Sequence, residues 1–121
     1  MRIPIDQLPL GADAEGARIQ RRTWAGSTVR VLELPAGGHL GRVPDRAVHE
    51  LCPSAHWGYV LEGSVEVRFA FGERETARTG DVYYWPALHA CWTDDGVRLL
   101  EFSPATEGEP ATTACLTPAG S

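Results

Sequence analysis

Two short segments hold most of the residues able to bind a metal or move a proton. They are His49-Glu50-Leu51-Cys52-Pro53-Ser54-Ala55-His56-Trp57-Gly58 and Pro86-Ala87-Leu88-His89-Ala90-Cys91-Trp92. Between them they contain three of the four histidines and two of the three cysteines of the chain. Side chains of an extended segment alternate between faces, so Glu50, Cys52 and, if the bend at Pro53 keeps the phase, His56 point one way; His89 and Cys91 form a similar pair. Two strands facing each other then gather these donors around one point. Zinc takes about four ligands from thiolate, imidazole and carboxylate, and this mix suits it; iron, manganese and nickel are the other divalent candidates. The competing reading makes Cys52 and Cys91 ordinary small buried residues and the histidines hydrogen-bonded core or rim groups. No paired Cys-x-x-Cys motif decides between the two.

The elements that must position these residues read as short strands. The chain of 121 residues has the length of one domain, with a core large enough to fold without a metal or disulfide. Its net charge of −5, with no basic run longer than Arg21-Arg22, argues against nucleic acid and anionic membranes as partners. There is no apolar run near the ~20 residues of a membrane span and no signal-peptide pattern after Met1, so the expected location is cytoplasmic. Three cysteines are too few for a disulfide-stapled secreted domain, which leaves free thiols or metal ligands. Glycine and proline fall as punctuation between apolar alternations. Strands are expected at 18–22, 28–34, 47–52, 56–61, 65–71, 82–85 and 97–103, with a short polar one inside 72–78. Residues 28–34 set Arg30, Leu32 and Leu34 on one face; Glu62-Gly63-Ser64 reads as a tight hairpin turn. With no helical period, the pattern predicts an all-β antiparallel sandwich or barrel.

Three stretches carry a family resemblance: Leu34-Pro35-Ala36-Gly37-Gly38, then His56-Trp57-Gly58-Tyr59-Val60-Leu61-Glu62-Gly63-Ser64-Val65-Glu66-Val67, then Gly80-Asp81-Val82-Tyr83-Tyr84-Trp85-Pro86-Ala87-Leu88-His89. In this order and spacing, residues 28–103 resemble the cupin superfamily. The resemblance implies a small double-stranded β-helix, or jelly roll, of the RmlC-like kind with a metal or ligand pocket in the barrel mouth. It implies a single domain over 1–121, with a core at about 18–103 and an arm at 104–121. Metal-binding cupins carry His-x-His, then Glu, then Gly in the first block. With Gly63 as the last of these, the Glu position is His56 and the His-x-His pair falls on Glu50 and Cys52. The alternative spacing uses His49 and Leu51. In the second block, Pro-x-Gly-x-x-His falls on Pro86 to Cys91, which puts Cys91 at the terminal histidine and Leu88 at the turn glycine. The implied ligand set is Glu50, Cys52, His56 and either His89 or Cys91. Zinc comes first because thiolate favours it.

Around these donors stand Trp57, Tyr83 and Trp85 as candidate walls of a small-molecule pocket, the alternative being core or dimer-interface packing. Phe69 and Phe71 are expected in the core. Glu101, between Leu100 and Phe102, is a candidate acid, base or orienting partner of a histidine if it faces inward, and Glu50 a candidate ligand or base. These residues suit a metal-dependent enzyme acting on a small organic molecule, of isomerase or lyase type. Oxygenase chemistry is disfavoured because it would oxidise a cysteine ligand. The alternative is a non-catalytic ligand-binding or sensor module with a structural metal or none. The apolar alternate face of 56–62, with Trp57, Tyr59 and Leu61, predicts a homodimer.

Overall fold

In the computed structural model, which describes residues 1–14 (12–14 as backbone), 17–40 and 54–104, the period-two segments become one antiparallel set of strands. A single 3-10 turn at Ile5–Gln7 precedes β1 (Leu10–Ala14), β2 (Ala17–Trp24), β3 (Ser27–Leu34), β4 (His39–Leu40) and β5 (His56–Phe69). Then follow β6 (Arg74–Arg78), β7 (Val82–Trp85), β8 (His89–Trp92) and β9 (Val97–Pro104). One face of the curled structure runs β1-β2-β3-β9-β5-β7, the other β4-β8-β5-β6. This is the expected all-β, jelly-roll class. No helix among the described residues is long and apolar enough to cross a membrane. The strand expected at 47–52 and the arm beyond residue 104 lie outside the described residues.

Both faces share β5, and here the structure corrects the sequence reading. Glu62-Gly63-Ser64 is not a hairpin turn but the middle of one continuous strand. Residues 57–63 pair with β9, whereas 64–68 pair with β6 and 66–69 with β8. A register shift between Val60 and Glu62 changes the phase, so the inward residues pass from His56, Gly58 and Val60 to Val65 and Val67. Gly63 makes the bend with φ of 94°. A Cβ there would overlap the carbonyl oxygen of Gly96, so glycine is required twice over. The true hairpin comes later, where Gly72 N–H donates to Phe69 O at 2.9 Å. Phe71 therefore sits in a turn and is 93 % exposed rather than in the core, while Phe69 packs against the core from its edge.

Register orders the interior into rows. Leu32 pairs with Leu99 and Leu99 with Val60, and all three are fully buried. Val65 and Val67 of the second face meet them in the same cluster. Each such side chain contributes roughly 1.5–3 kcal/mol on burial. One row nearer the end of β7, the sequence turns polar: Arg30 pairs with Glu101, Glu101 with Gly58, and Gly58 with Tyr83. On the outer face, Gln20 lies opposite Val31 and its amide donates to Leu8 O at 2.9 Å. Leu8 and Val31 are both buried there, so the N-terminal segment covers the β2–β3 side of that face. The β9-β5-β7 side stays bare, with Phe102, Trp57, Tyr59, Tyr84 and Val82 exposed.

The loop into β8 keeps a left-handed residue without a glycine. Leu88, at the position where the resembled motif has glycine, has φ of 70°. That conformation costs an L-residue with a side chain roughly 1–2 kcal/mol. Leu88→Gly removes this strain, at a penalty of about 0.5–1 kcal/mol in chain entropy, and is expected to be neutral or mildly stabilising. Leu88→Val, β-branched at positive φ, is expected to lose more than about 1 kcal/mol. Urea unfolding of the two variants checks this, and equal stabilities would refute it.

Candidate functional site

β5, β7 and β9 on one face and β8 on the other deliver the chemically capable side chains to the interior. His56 and Trp85 are register partners on β5 and β7, both inward and 2 % and 1 % exposed. His89, on β8, lies opposite Phe69, and its ring centroid is 5.0 Å from that of His56 and 5.3 Å from that of Trp85. His89 Nδ1 lies 2.8 Å from Pro86 O. A carbonyl oxygen only accepts, so Nδ1 carries the proton and the Nε2 lone pair of the neutral ring points elsewhere. Burial is also the largest influence on both imidazole pKa values. It lowers His56 from its ordinary 6.5 to about 3, with the Glu101 charge opposing and Arg30 and His89 adding to the effect. His89 is lowered too, although the Pro86 bond and Glu101 oppose it. Both are neutral near pH 7.

Beside them lies the polar row. Glu101 is wholly buried; Arg30 Nε donates to its Oε1 at 2.7 Å and Tyr83 OH donates to its Oε2 at 2.5 Å. Burial alone would raise the Glu101 pKa, but Arg30, His56 and the Tyr83 bond outweigh it and hold the carboxyl at about 2. The same burial, with the Glu101 charge, raises the Tyr83 phenol far above its ordinary range. Gly58 makes the row possible: a Cβ there would overlap the Tyr83 ring, so the phenol crosses the space a side chain would fill. Tyr83 also stacks on Trp85, with centroids 4.2 Å apart and planes at 29°.

The structure therefore brings together His56, His89, Tyr83, Trp85 and Glu101. Trp57 does not join them: it stands on the outer face, 49 % exposed, against Tyr84 at 5.1 Å. Cys91 faces inward opposite Val67 but belongs to the apolar cluster, and burial pushes its thiol up to about 12. Glu50 and Cys52 lie outside the described residues. Among the described residues no three His, Cys, Asp or Glu side chains group closely enough to hold a metal. Sequence reasoning missed Arg30 and Gly58. An arginine in phase with Leu32 and Leu34 was the available signal for a buried charge partner.

A surface cavity of about 570 Å³ opens elsewhere, at the far end of β3 and β9, between Glu33, Glu62, Asp95 and Arg98. Its charges are partly matched across the strands, with Arg98 Nε 3.5 Å from Glu33, and among the described residues no histidine or cysteine lines it.

No protein-family model and no curated protein matches this sequence. Solved structures do. A variant of oxalate decarboxylase from Bacillus subtilis superposes with a TM-score of 0.68 at 16 % identity, over 91 % of this chain and 31 % of that one. The chain thus spans about a third of that enzyme's length. An RmlC-like cupin from Shewanella frigidimarina matches with a TM-score of 0.65 at 17 % identity, over 86 % of this chain and 89 % of that chain. A putative ethanolamine utilization protein from Salmonella typhimurium matches with a TM-score of 0.62 at 19 % identity, over 78 % and 79 % of the two chains. A further Bacillus subtilis oxalate decarboxylase, a protein with Mn(II) centres, has a TM-score of 0.66 at 15 % identity, over 91 % of this chain and 30 % of that one. The fold is that of the cupins.

The buried ion pair makes a testable demand. Glu101 titrates at about 2 in the folded chain against an ordinary 4.5, so its stabilisation is full above pH 4.5 and is lost as pH falls from there towards 2. Glu101→Gln keeps the shape but deprives Arg30 of that carboxylate, and is expected to cost about 3–5 kcal/mol at pH 7. Its stability should also lack the Glu101 share of the decline between pH 4.5 and 2. Urea unfolding across this range compares the two proteins, and parallel curves would refute the assignment.

Proposed function

We propose that this cupin-fold chain is a metal-binding protein that takes a small organic molecule in the barrel interior, most simply as a metal-dependent enzyme of isomerase or lyase type. One observation carries the reading: two neutral inward imidazoles, His56 and His89, 5.0 Å apart between centroids, the second with its Nδ1 proton committed to Pro86 O. Metal-bound histidines are commonly oriented by such a bond from the other ring nitrogen. His89 is accordingly preferred to Cys91 as the ligand from β8, since the Cys91 thiol sits among apolar residues with its pKa raised to about 12. Cys52 and Glu50 complete the set from the sequence motif. With a thiolate present, zinc is the first choice, ahead of iron, manganese or nickel.

When bound, the metal would supply Lewis-acid polarisation of a substrate oxygen or a water ionised near neutral pH. The chain's own residues do the rest. Pro86 O orients His89, the Arg30–Glu101–Tyr83 row holds Trp85 by stacking, and the apolar rows beyond Leu99 keep water from the floor. A second reading, a closed structural metal in a binding or sensor module, is favoured by the burial of His56 and His89 at 2 % and 4 % exposure. Mass-spectrometric metal analysis tests the proposal. About one equivalent is expected to survive dialysis in the wild type and Cys91→Ser, and to be lost in Cys52→Ala, His56→Ala and His89→Ala. No metal after reconstitution with zinc, or unchanged stoichiometry in the three alanine variants, would sink it.

The partner proposed for the outer face is a second copy of this chain, because Trp57, Tyr59, Tyr84 and Phe102 are 40–50 % exposed on adjacent strands. Trp57→Glu is expected to shift sedimentation from dimer to monomer. Wild-type protein that is already monomeric at every concentration would overturn the dimer.

A further inference from the structure

Trp85 is 1 % exposed, and its indole Nε1–H meets no acceptor among the described residues. An unmatched buried donor is rare in native proteins and calls for a specific explanation. The polar row on which it stacks does not receive it. Tyr83, stacked on the indole at 4.2 Å, gives its hydroxyl proton to Glu101 Oε2, and Glu101 Oε1 accepts from Arg30. That row fixes the position of the indole but offers it no acceptor. On its other neighbours, the indole stands beside His56 across the strand pair and 5.3 Å between centroids from His89.

Indole N–H donates only, so whatever meets it must accept. We propose that Trp85 is the docking donor of the interior site, and that its Nε1–H takes an oxygen acceptor of an exchangeable small-molecule ligand beside His56 and His89. The ligand class is a small oxygen acid or carbonyl compound. The adjoining row is filled by the fully buried Val60 and Leu99, so the acceptor is sought on the side of the two imidazoles. This deepens the proposed function by naming the group of the ligand that is recognised, and it rests on that reading only for the location of the site.

The test uses ¹⁵N-labelled full-length protein, with formate as a charged probe and formamide as a neutral one. The four tryptophans give four indole N–H resonances; that of Trp85 is assigned by Trp85→Phe, or by sequential assignment of the wild type if the variant does not fold. Titration should move the Trp85 resonance downfield and saturably while those of Trp24, Trp57 and Trp92 stay still. Greater effect with formate identifies an acid as the ligand group, and greater effect with formamide a carbonyl. By calorimetry, Trp85→Phe should bind the better probe about two- to tenfold more weakly, the worth of one hydrogen bond. A Trp85 resonance unmoved by either probe, including one held downfield in plain buffer by a fixed internal water, overturns the proposal. The titration is run on chelator-treated and zinc-treated protein. Metal retention with an unmoved resonance defeats this inference alone, whereas a saturable shift in protein that retains no metal upholds it and defeats the metal reading.

Discussion

A carboxylate with no access to water must be answered by its neighbours, and Glu101 organises one end of the interior for that reason. Its negative charge is tolerated because Arg30 and Tyr83 donate to its two oxygens from strands on either side. Tyr83 reaches it only because Gly58 has no side chain, and Tyr83 in turn sets the plane of Trp85. A strand pairing across four backbones thus becomes a chain of side-chain constraints, ending at the two imidazoles. The charges stay balanced within the row, which lets the histidines next to it remain neutral.

The interior is graded rather than uniform. From the Leu34 and Val97 end, the rows of β3, β9 and β5 are apolar through Leu32, Leu99 and Val60, and turn polar at Arg30, Glu101 and Tyr83. Dispersion and burial hold the first half together; hydrogen bonds and charge hold the second. In the second half, ionisable side chains from several strands converge and are held in fixed orientations beside the two imidazoles. The separate surface cavity near Arg98 has room, but its charged lining lacks that convergence on a buried donor set.

Strands with clean alternation were legible from residues alone: 28–34, 82–85 and 97–103 match β3, β7 and β9 within a residue or so. The inward phase of His89 and Cys91 was legible for the same reason. What stayed hidden depends on distant parts of the chain. Glu-Gly-Ser reads as a turn, and only the approach of the Gly96 carbonyl to Gly63 reveals a strand that bends and continues. The inward direction of Glu101 stayed a condition in the sequence because its answering charge lies 71 residues away in Arg30. Trp57 sits next to His56 in sequence yet on the opposite face, as period two demands, so of the two placements read for it the alternate strand face fits and the pocket wall does not. Leu88 kept the backbone shape of a glycine motif without the glycine, so the motif was legible where its usual residue was not.

Because β5 is hydrogen-bonded to β6, β7, β8 and β9, neither face of the curl can detach without breaking the strand they share. The molecule therefore has no natural seam. Partial opening that frees one face would strip the ladder from the other, so the amides at the middle of β5 exchange with solvent only when the whole domain unfolds, and the two faces melt as one cooperative unit.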